Sequence, residues 1–169
     1  MTRTILLTTD DGRDPAYVEI QEPVLRWAAG QEARVVLYDR AAESYFVDPY
    51  PSGPWTADVE SGPERGALLD PQQLEMMGRH YLAEQVRAAR GVGVKAGAWL
   101  PSRPGVRGMA DAVSAVGADV VVLPASVANP SLFDRVRGNT LAGFREALSV
   151  PVIVADHGGV TADATVAVG

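Results

Sequence analysis

The chain has 169 residues, a formal net charge of −6 and no cysteine. This length suits one domain with a single hydrophobic core, and the acidic balance excludes binding driven by the phosphate backbone of a nucleic acid. The missing cysteine excludes disulfides and thiolate metal sites, and no apolar run approaches the roughly 18 residues of a membrane span, so we expect a cytoplasmic protein with no membrane partner.

The first elements of the chain are a buried strand and a bent helix. The run ILLTT at residues 5–9 is apolar and β-branched throughout, which predicts a strand covered on both faces. Asp14 and Pro15 supply a cap and a first helical residue, and the helix extends to Gly30. Pro23 lies inside it and leaves the carbonyl four residues earlier without a donor, so we expect a bend in the preceding turn.

A second strand at residues 34–38 leads into an irregular insertion at residues 41–69. The insertion holds four prolines and four aromatic residues, and loops longer than about 15 residues are often functional. Its aromatic side chains would either cover a ligand or anchor the loop to the protein surface. Asp70 and Pro71 then begin a predicted helix that extends without interruption to Gly91.

Strands and helices continue to alternate in the second half of the chain. The predicted strands lie at 94–100, 120–123 and 151–155, and the helices between them at 106–116 and 139–148. Alternation of this kind predicts right-handed crossovers and a parallel sheet. The expected fold class is therefore α/β, with a doubly wound five-stranded parallel sheet in a domain spanning residues 1–157, followed by a flexible tail at 158–169. Ligands of such sheets bind where the first and fourth strands end.

Two loops at this expected crevice carry candidate binding residues. Thr9, Asp10 and Asp11 end the first strand. An aspartate here would accept a hydrogen bond from a ribose hydroxyl or from adenine, or share a divalent cation with phosphates. The alternative is a turn in which the aspartates bond nearby amides and cap the helix.

The second loop follows the fourth strand and ends at a helix. Gly138, Asn139 and Thr140 lie at the start of that helix, where free backbone N–H groups would bind a phosphate. The alternative is a helix cap by Asn139 or Thr140. Arg135 and Arg137 precede this position and would lie near a bound phosphate.

Several of these features resemble the universal stress protein family. They are the order of strands and helices, the aspartate that ends the first strand, the segment GADVVVL at 117–123, GNT at 138–140 and PVIV at 151–154. The resemblance covers nearly the whole chain except the insertion and the tail. It implies the strand order 3-2-1-4-5 of the adenine nucleotide alpha hydrolase-like fold, a role in the stress response and a homodimer formed through the last strand.

Nucleotide-binding members of that family carry glycine, two residues, glycine, nine residues, then glycine with serine or threonine after the fourth strand. In this chain these positions hold Ala125, Ala128, Gly138 and Asn139, and Thr140 follows one position late. Each alanine adds a Cβ where the backbone would approach a phosphate or adopt a positive φ. We therefore expect a regulatory or scaffolding protein with a degenerate nucleotide loop and no catalytic residues. The alternative is an ATP-binding switch, slowly hydrolysing, whose ligands to ATP and its Mg²⁺ would be Thr9, Asp10, Ala125, Ala128, Gly138, Asn139 and Thr140.

Other ligand-binding classes lack their essential residues. Asp39 and the aspartates after the first strand resemble the acidic cluster of a phosphoacceptor receiver domain. Such a domain also needs an aspartate at the end of its third strand and a lysine after its fifth. Here the third strand ends at Leu100, and the only lysine is Lys95. His80 and His157 have no acidic ligands at zinc-site spacing, so we expect no metal site. No serine lies in a G-x-S-x-G motif, which argues against an α/β-hydrolase.

Overall fold

The computed structural model describes residues 2–10, 14–42, 66–128, 140–156 and 158–160. Within these ranges the strands are β1 (Thr4–Thr9), β2 (Arg34–Asp39), β3 (Leu68–Leu69), β4 (Ala96–Trp99), β5 (Val120–Pro124), β6 (Val152–Asp156) and β7 (Gly159–Val160). The helices are α1 (Pro15–Glu19), α2 (Gln21–Gly30), α3 (Pro71–Met76), α4 (His80–Gly91), α5 (Gly105–Val116) and α6 (Leu141–Ala147), with a 3₁₀ helix at Ala125–Ala128. None of these helices has the length and apolar character that crossing a bilayer requires.

The strands form one sheet in the order β3-β4-β2-β1-β5-β6-β7. Its five longer strands are parallel and follow the predicted order 3-2-1-4-5, which is confirmed. The predicted count of five strands is too low, because two further strands of two residues each, β3 and β7, pair antiparallel at the two edges of the sheet. These short strands were hidden in the insertion and in the predicted tail.

Two separate cores pack against the two faces of the sheet. Successive residues of a strand point to opposite faces, so Ile5 and Leu7 pack beneath α2 and α4 while Leu6 packs beneath α5 and α6. All six residues of β1 are buried. The prediction that this strand is covered on both faces is therefore confirmed.

The bend predicted from Pro23 divides the first helix into α1 and α2. The helix stops at Glu19, whose carbonyl has no donor at Pro23, and Ile20 joins the two segments. The next residue, Val24, donates its backbone N–H to the Ile20 carbonyl at 3.1 Å. The cost of an internal proline is thus confined to one junction.

The prediction of one helix from Pro71 to Gly91 is wrong. Gly78 has φ of +75°, a conformation that favours glycine, and it ends the helix after Met76. The backbone N–H of Arg79 donates to the Leu74 carbonyl at 2.8 Å, and that of Gly78 donates to Glu75 at 2.9 Å. These are the two bonds of a Schellman motif. The turn places Arg79 near the end of β2.

Candidate functional site

The crevice expected from strand order lies where β1 and β5 end. The described residues around it include Thr9, Asp10 and the 3₁₀ helix at Ala125–Ala128. Sequence candidates that lie outside the described residues are Asp11, Gly12, Arg135, Arg137, Gly138 and Asn139. The aromatic residues of the insertion, Tyr45, Phe46, Tyr50 and Trp55, also lie outside them.

The side chain of Thr9 belongs to a buried polar cluster on the α2 and α4 side of the sheet. Its hydroxyl lies 2.9 Å from Gln85 Oε1, to which it donates, and accepts from Gln21 Nε2 at 3.2 Å. Both Thr9 and Gln85 are buried, and Gln85 Nε2 has no hydrogen-bond partner in the part of the chain that the structure describes. The hydroxyl of Thr9 is therefore engaged within the protein.

Asp10 is held by the turn that follows β1. Its Oδ2 accepts the backbone N–H of Asp14 at 3.1 Å, and the residue is only 9% exposed. Asp14 in turn caps α1, since its Oδ1 accepts from the Ala16 N–H at 2.9 Å. The capping role considered for an aspartate in this turn is thus filled by Asp14, while Asp10 fixes the loop before it.

The loop after β5 occupies the positions where nucleotide-binding relatives of this fold would need glycine. It is a 3₁₀ helix, Ala125–Ala128, and Glu32 is the one described non-glycine residue with a positive φ. Neither alanine is therefore strained. Val127 anchors the turn in the core beneath α5 and α6, and the hydroxyl of Ser126 donates to Asp14 Oδ2 at 3.3 Å. This bond connects the two loops of the crevice.

Thr140 is the N-cap of α6. Its Oγ1 accepts the backbone N–H of Gly143 at 3.0 Å, which is the cap alternative from the sequence. The helix begins at Leu141 instead of Asn139, so the phosphate-binding role of this position stays a prediction.

Arg40 is a crevice residue that the sequence did not reveal. Its backbone N–H donates to the Thr9 carbonyl at 2.8 Å, just beyond the end of β2. Its side chain donates to the Tyr17 hydroxyl at 2.9 Å and lies 5.5 Å from the centre of the Phe144 ring. A guanidinium over an aromatic face is attracted by the ring's quadrupole. Arg40 therefore connects β2 with α1 and α6 across the strand ends.

Asp39 forms a buried ion pair with Arg79. The carboxylate is 1% exposed and the Arg79 side chain 11%, and Arg79 Nε donates to Asp39 Oδ2 at 3.0 Å. The other oxygen of Asp39 accepts the Ala41 N–H at 3.0 Å. Burial raises the pKa of the Asp39 carboxyl, and Arg79 opposes that rise. Asp39 is thus engaged by the α3–α4 turn and supplies no free acid to the crevice.

No set of three or more histidine, aspartate or glutamate side chains within the described ranges is arranged to hold a metal ion. The described acids of the crevice bond backbone amides, a serine hydroxyl and an arginine instead. The arrangement supplies hydrogen-bonded support to the loops around the strand ends.

Comparison of the sequence gives no match to a protein-family model and none to a curated protein. Solved structures do match. A universal stress protein in complex with cAMP is 17% identical, with a TM-score of 0.53 over 92% of this chain and 98% of that chain. A protein from the universal stress protein family from Burkholderia pseudomallei is 16% identical, with a TM-score of 0.54 over 90% of this chain and 95% of that one.

A third structure is the universal stress protein from Archaeoglobus fulgidus in complex with dAMP. It is 15% identical and has a TM-score of 0.50 over 91% of this chain and 97% of that chain. Likeness at these identities establishes architecture, because a fold supports many functions. The chain has the fold of the universal stress proteins, and the resemblance expected from its sequence is confirmed at that level.

Proposed function

We propose that this protein is a universal stress protein-like regulatory or scaffolding protein that works in the cytoplasm as a homodimer and needs no bound nucleotide. The observation that carries the proposal is the 3₁₀ helix at Ala125–Ala128. It places two alanines where a phosphate-binding loop of this fold would use glycine, in a backbone conformation that alanine adopts without strain. A loop of this kind has no conformational reason to retain glycine.

The neighbouring polar groups support the same function. Asp10 is bonded to the Asp14 amide, and Asp14 bonds both α1 and Ser126. Each of these bonds lies within the chain. The described acids of the crevice therefore have hydrogen-bond partners that do not depend on a ligand, which supports a scaffolding function.

Calorimetric titration with ATP and Mg²⁺ tests this proposal. We expect no heat of binding at millimolar ATP, and we expect binding in the double variant Ala125→Gly/Ala128→Gly, which restores the glycine positions. The variant loses stability because glycine has more conformational freedom when unfolded, by roughly 0.5–1 kcal/mol per site. Tight ATP binding by the wild-type protein would contradict the proposal.

The homodimer is proposed to form through the sheet edge made by β6 and β7. The expectation of an exposed last strand needs one correction, because Ala155 and Asp156 of β6 pair with β7. In addition, Arg145 Nε donates to the Val152 carbonyl at 3.4 Å. Edge strands are the places where a second copy adds to a sheet.

Light scattering should give twice the chain mass, and Val160→Pro, which removes a backbone donor from β7, should shift the measured mass toward that of the monomer. A wild-type monomer at high concentration would contradict this part of the proposal.

The second candidate function is an ATP-binding switch that hydrolyses slowly. It is favoured by two matching structures that are complexes with cAMP and dAMP and by an aspartate, Asp10, at the end of β1. Its binding residues would be Thr9, Asp10, Ala125, Ala128, Gly138, Asn139 and Thr140, with Mg²⁺ bound only together with ATP. The same titration decides: ATP binding in the wild type that disappears in Asp10→Ala would establish the switch.

A further inference from the structure

A cavity of about 260 Å³ lies at the end of the sheet opposite the crevice. It opens beside the amino-terminal ends of β2 and β4, where the short strand β3 covers part of the edge. Three basic side chains line it, those of Arg34, Arg90 and Lys95. Asp70 is the one acid among the described lining residues, so their ionised side chains carry an excess of positive charge in a chain whose net charge is −6.

None of these three cations forms an ion pair with a carboxylate of the described residues. Arg34 donates to the Thr4 hydroxyl at 3.2 Å and to the Val116 carbonyl at 2.7 Å, and Arg90 donates to the Ala96 carbonyl at 2.9 Å. All three acceptors are uncharged. A guanidinium carries five N–H donors, so each arginine retains donors beyond those that these bonds use.

Lys95 is the least constrained of the three. Its ammonium makes no hydrogen bond or ion pair with any residue of the described ranges, while its backbone carbonyl accepts from Val35 at 2.8 Å. It is also the only lysine among fifteen basic residues. The backbone of Lys95 is held against β2, while its flexible side chain carries the ammonium to the cavity.

The floor of the cavity depends on Gly97. A Cβ at this position would lie 3.0 Å from Leu68 Cδ1 and 3.4 Å from the Leu69 carbonyl oxygen. The missing side chain therefore lets Leu68 of β3 pack closely against β4 at the wall of the cavity. The volume is below the roughly 300–1,000 Å³ typical of pockets for drug-sized ligands, which favours a small ligand.

We infer that this cavity is a binding site for a small, multiply charged oxyanion of the phosphate class, recognised by Arg34, Arg90 and Lys95. The competing account is structural: Arg34 and Arg90 bond carbonyls near helix and strand ends, where cations are favourable without any ligand. That account gives no role to the ammonium of Lys95. The two accounts predict different responses to added phosphate.

The single lysine makes the site directly observable. Reductive methylation with ¹³C-formaldehyde labels the Lys95 ε-amine and the α-amine of the chain, and methylation retains the positive charge. The labelled protein is titrated with inorganic phosphate, and separately with inorganic pyrophosphate, at constant ionic strength. We expect a saturable change in the ¹³C shift of Lys95. A change that is linear in anion concentration, or equal for both amines, would overturn the inference in favour of screening.

Two variants and one matched control locate the anion. Arg90→Gln removes a charge from the cavity and should weaken anion binding by about tenfold or more, as expected for loss of a charge-assisted hydrogen bond. Gly97→Val adds a side chain at the cavity wall while leaving the cations, displaces the exposed Leu68 and crowds the Leu69 carbonyl, and should also weaken anion binding. Arg107→Gln removes the same charge from the exposed face of α5 and should leave the midpoint unchanged. Equal midpoints in all three variants and the wild type would overturn the inference.

The source of the phosphate is resolved by a further titration with a phosphate monoester. Saturation by inorganic phosphate but not by the monoester identifies the free anion as the ligand. Saturation by both identifies the terminal phosphoryl group of an organic phosphate. The experiment is independent of the crevice, because Asp10→Ala should leave every Lys95 midpoint unchanged.

Discussion

The two ends of the parallel sheet differ in the partners of their described charged side chains. At the carboxyl ends of the strands, Asp10 bonds an amide, Asp14 bonds an amide and a hydroxyl, and Asp39 pairs with Arg79. At the amino ends, Arg34 and Arg90 bond only neutral oxygens within the described residues. The described acids at the end where doubly wound sheets usually bind ligands thus have partners within the chain, whereas the described cations at the other end have no carboxylate partner. The end of the sheet where this fold usually binds ligands is therefore not the end whose described side chains are most available to bind one.

The largest effect is expected from removing the cation of the buried pair, by Arg79→Met. Breaking a buried ion pair from one side leaves an uncompensated charge and costs about 3–5 kcal/mol. Urea denaturation should show this loss in the free energy of unfolding. Arg87→Met is the matched control, because Arg87 is 43% exposed in its pairs with Glu75 and Glu84, and exposed pairs contribute at most about 1 kcal/mol.

The pH dependence of the same variant has a defined sign. The pKa of Asp39 is raised in the folded protein, so the folded state binds the proton more tightly than the unfolded state and stability falls as pH rises through that interval. Arg79 opposes this rise, so its removal increases the penalty for ionising Asp39. The loss caused by Arg79→Met should therefore be larger near neutral pH than at about pH 4. A loss that does not change with pH would mean that Arg79 has no influence on the pKa of Asp39, and therefore that the pair does not form.

The next largest effect is expected from Gly108→Ala in α5. A Cβ here would lie 2.0 Å from the Arg103 carbonyl oxygen and 2.8 Å from the Tyr38 hydroxyl, and the first of these is backbone that cannot rotate away. Overpacking of this kind costs about 1–3 kcal/mol. Because Tyr38 lies near the carboxyl end of β2, displacement of α5 should disturb the crevice while the anion midpoint of Lys95 stays unchanged.

The control for this prediction is Gly30→Ala at the end of α2. Gly30 has no positive φ, and a Cβ there would meet no atom within 4 Å. Alanine is favoured over glycine in a helix by roughly 1 kcal/mol, so thermal unfolding should show no loss. A similar loss in both variants would mean that close packing at Gly108 is not the cause.

The architecture was predictable because it follows from local patterns. The short apolar runs predicted five parallel strands, and the proline rule predicted a bend before Pro23, where the structure has a division into two helices. The break at Gly78 was not predictable from periodicity, since Leu74, Leu82 and Val86 keep helical spacing across it. A glycine inside such a pattern is compatible with either a continuous helix or a Schellman ending.

The contacts of the candidate site were mostly beyond sequence reasoning. Thr9 and Gln85 are 76 residues apart, and Asp14 and Ser126 are 112 apart, so no local spacing connects them. Arg40 is one of fifteen basic residues, and nothing in its immediate sequence distinguishes it from the others. The sequence could identify where a crevice would form, because strand order determines it, but side-chain partners across the sheet depend on tertiary packing.

The smallest effect on stability is expected from Ser126→Ala, which removes the hydrogen bond between the two loops of the crevice. The bond from Ser126 to Asp14 is 3.3 Å long and exposed, so its loss should change the free energy of unfolding by less than about 1 kcal/mol. If the alanines at 125 and 128 exclude nucleotide, Ser126→Ala should remain unable to bind ATP in the calorimeter. Appearance of ATP binding in this variant would instead identify the Ser126–Asp14 bond as the feature that closes the crevice. In that case the chain would be a nucleotide-binding protein held closed by one hydrogen bond.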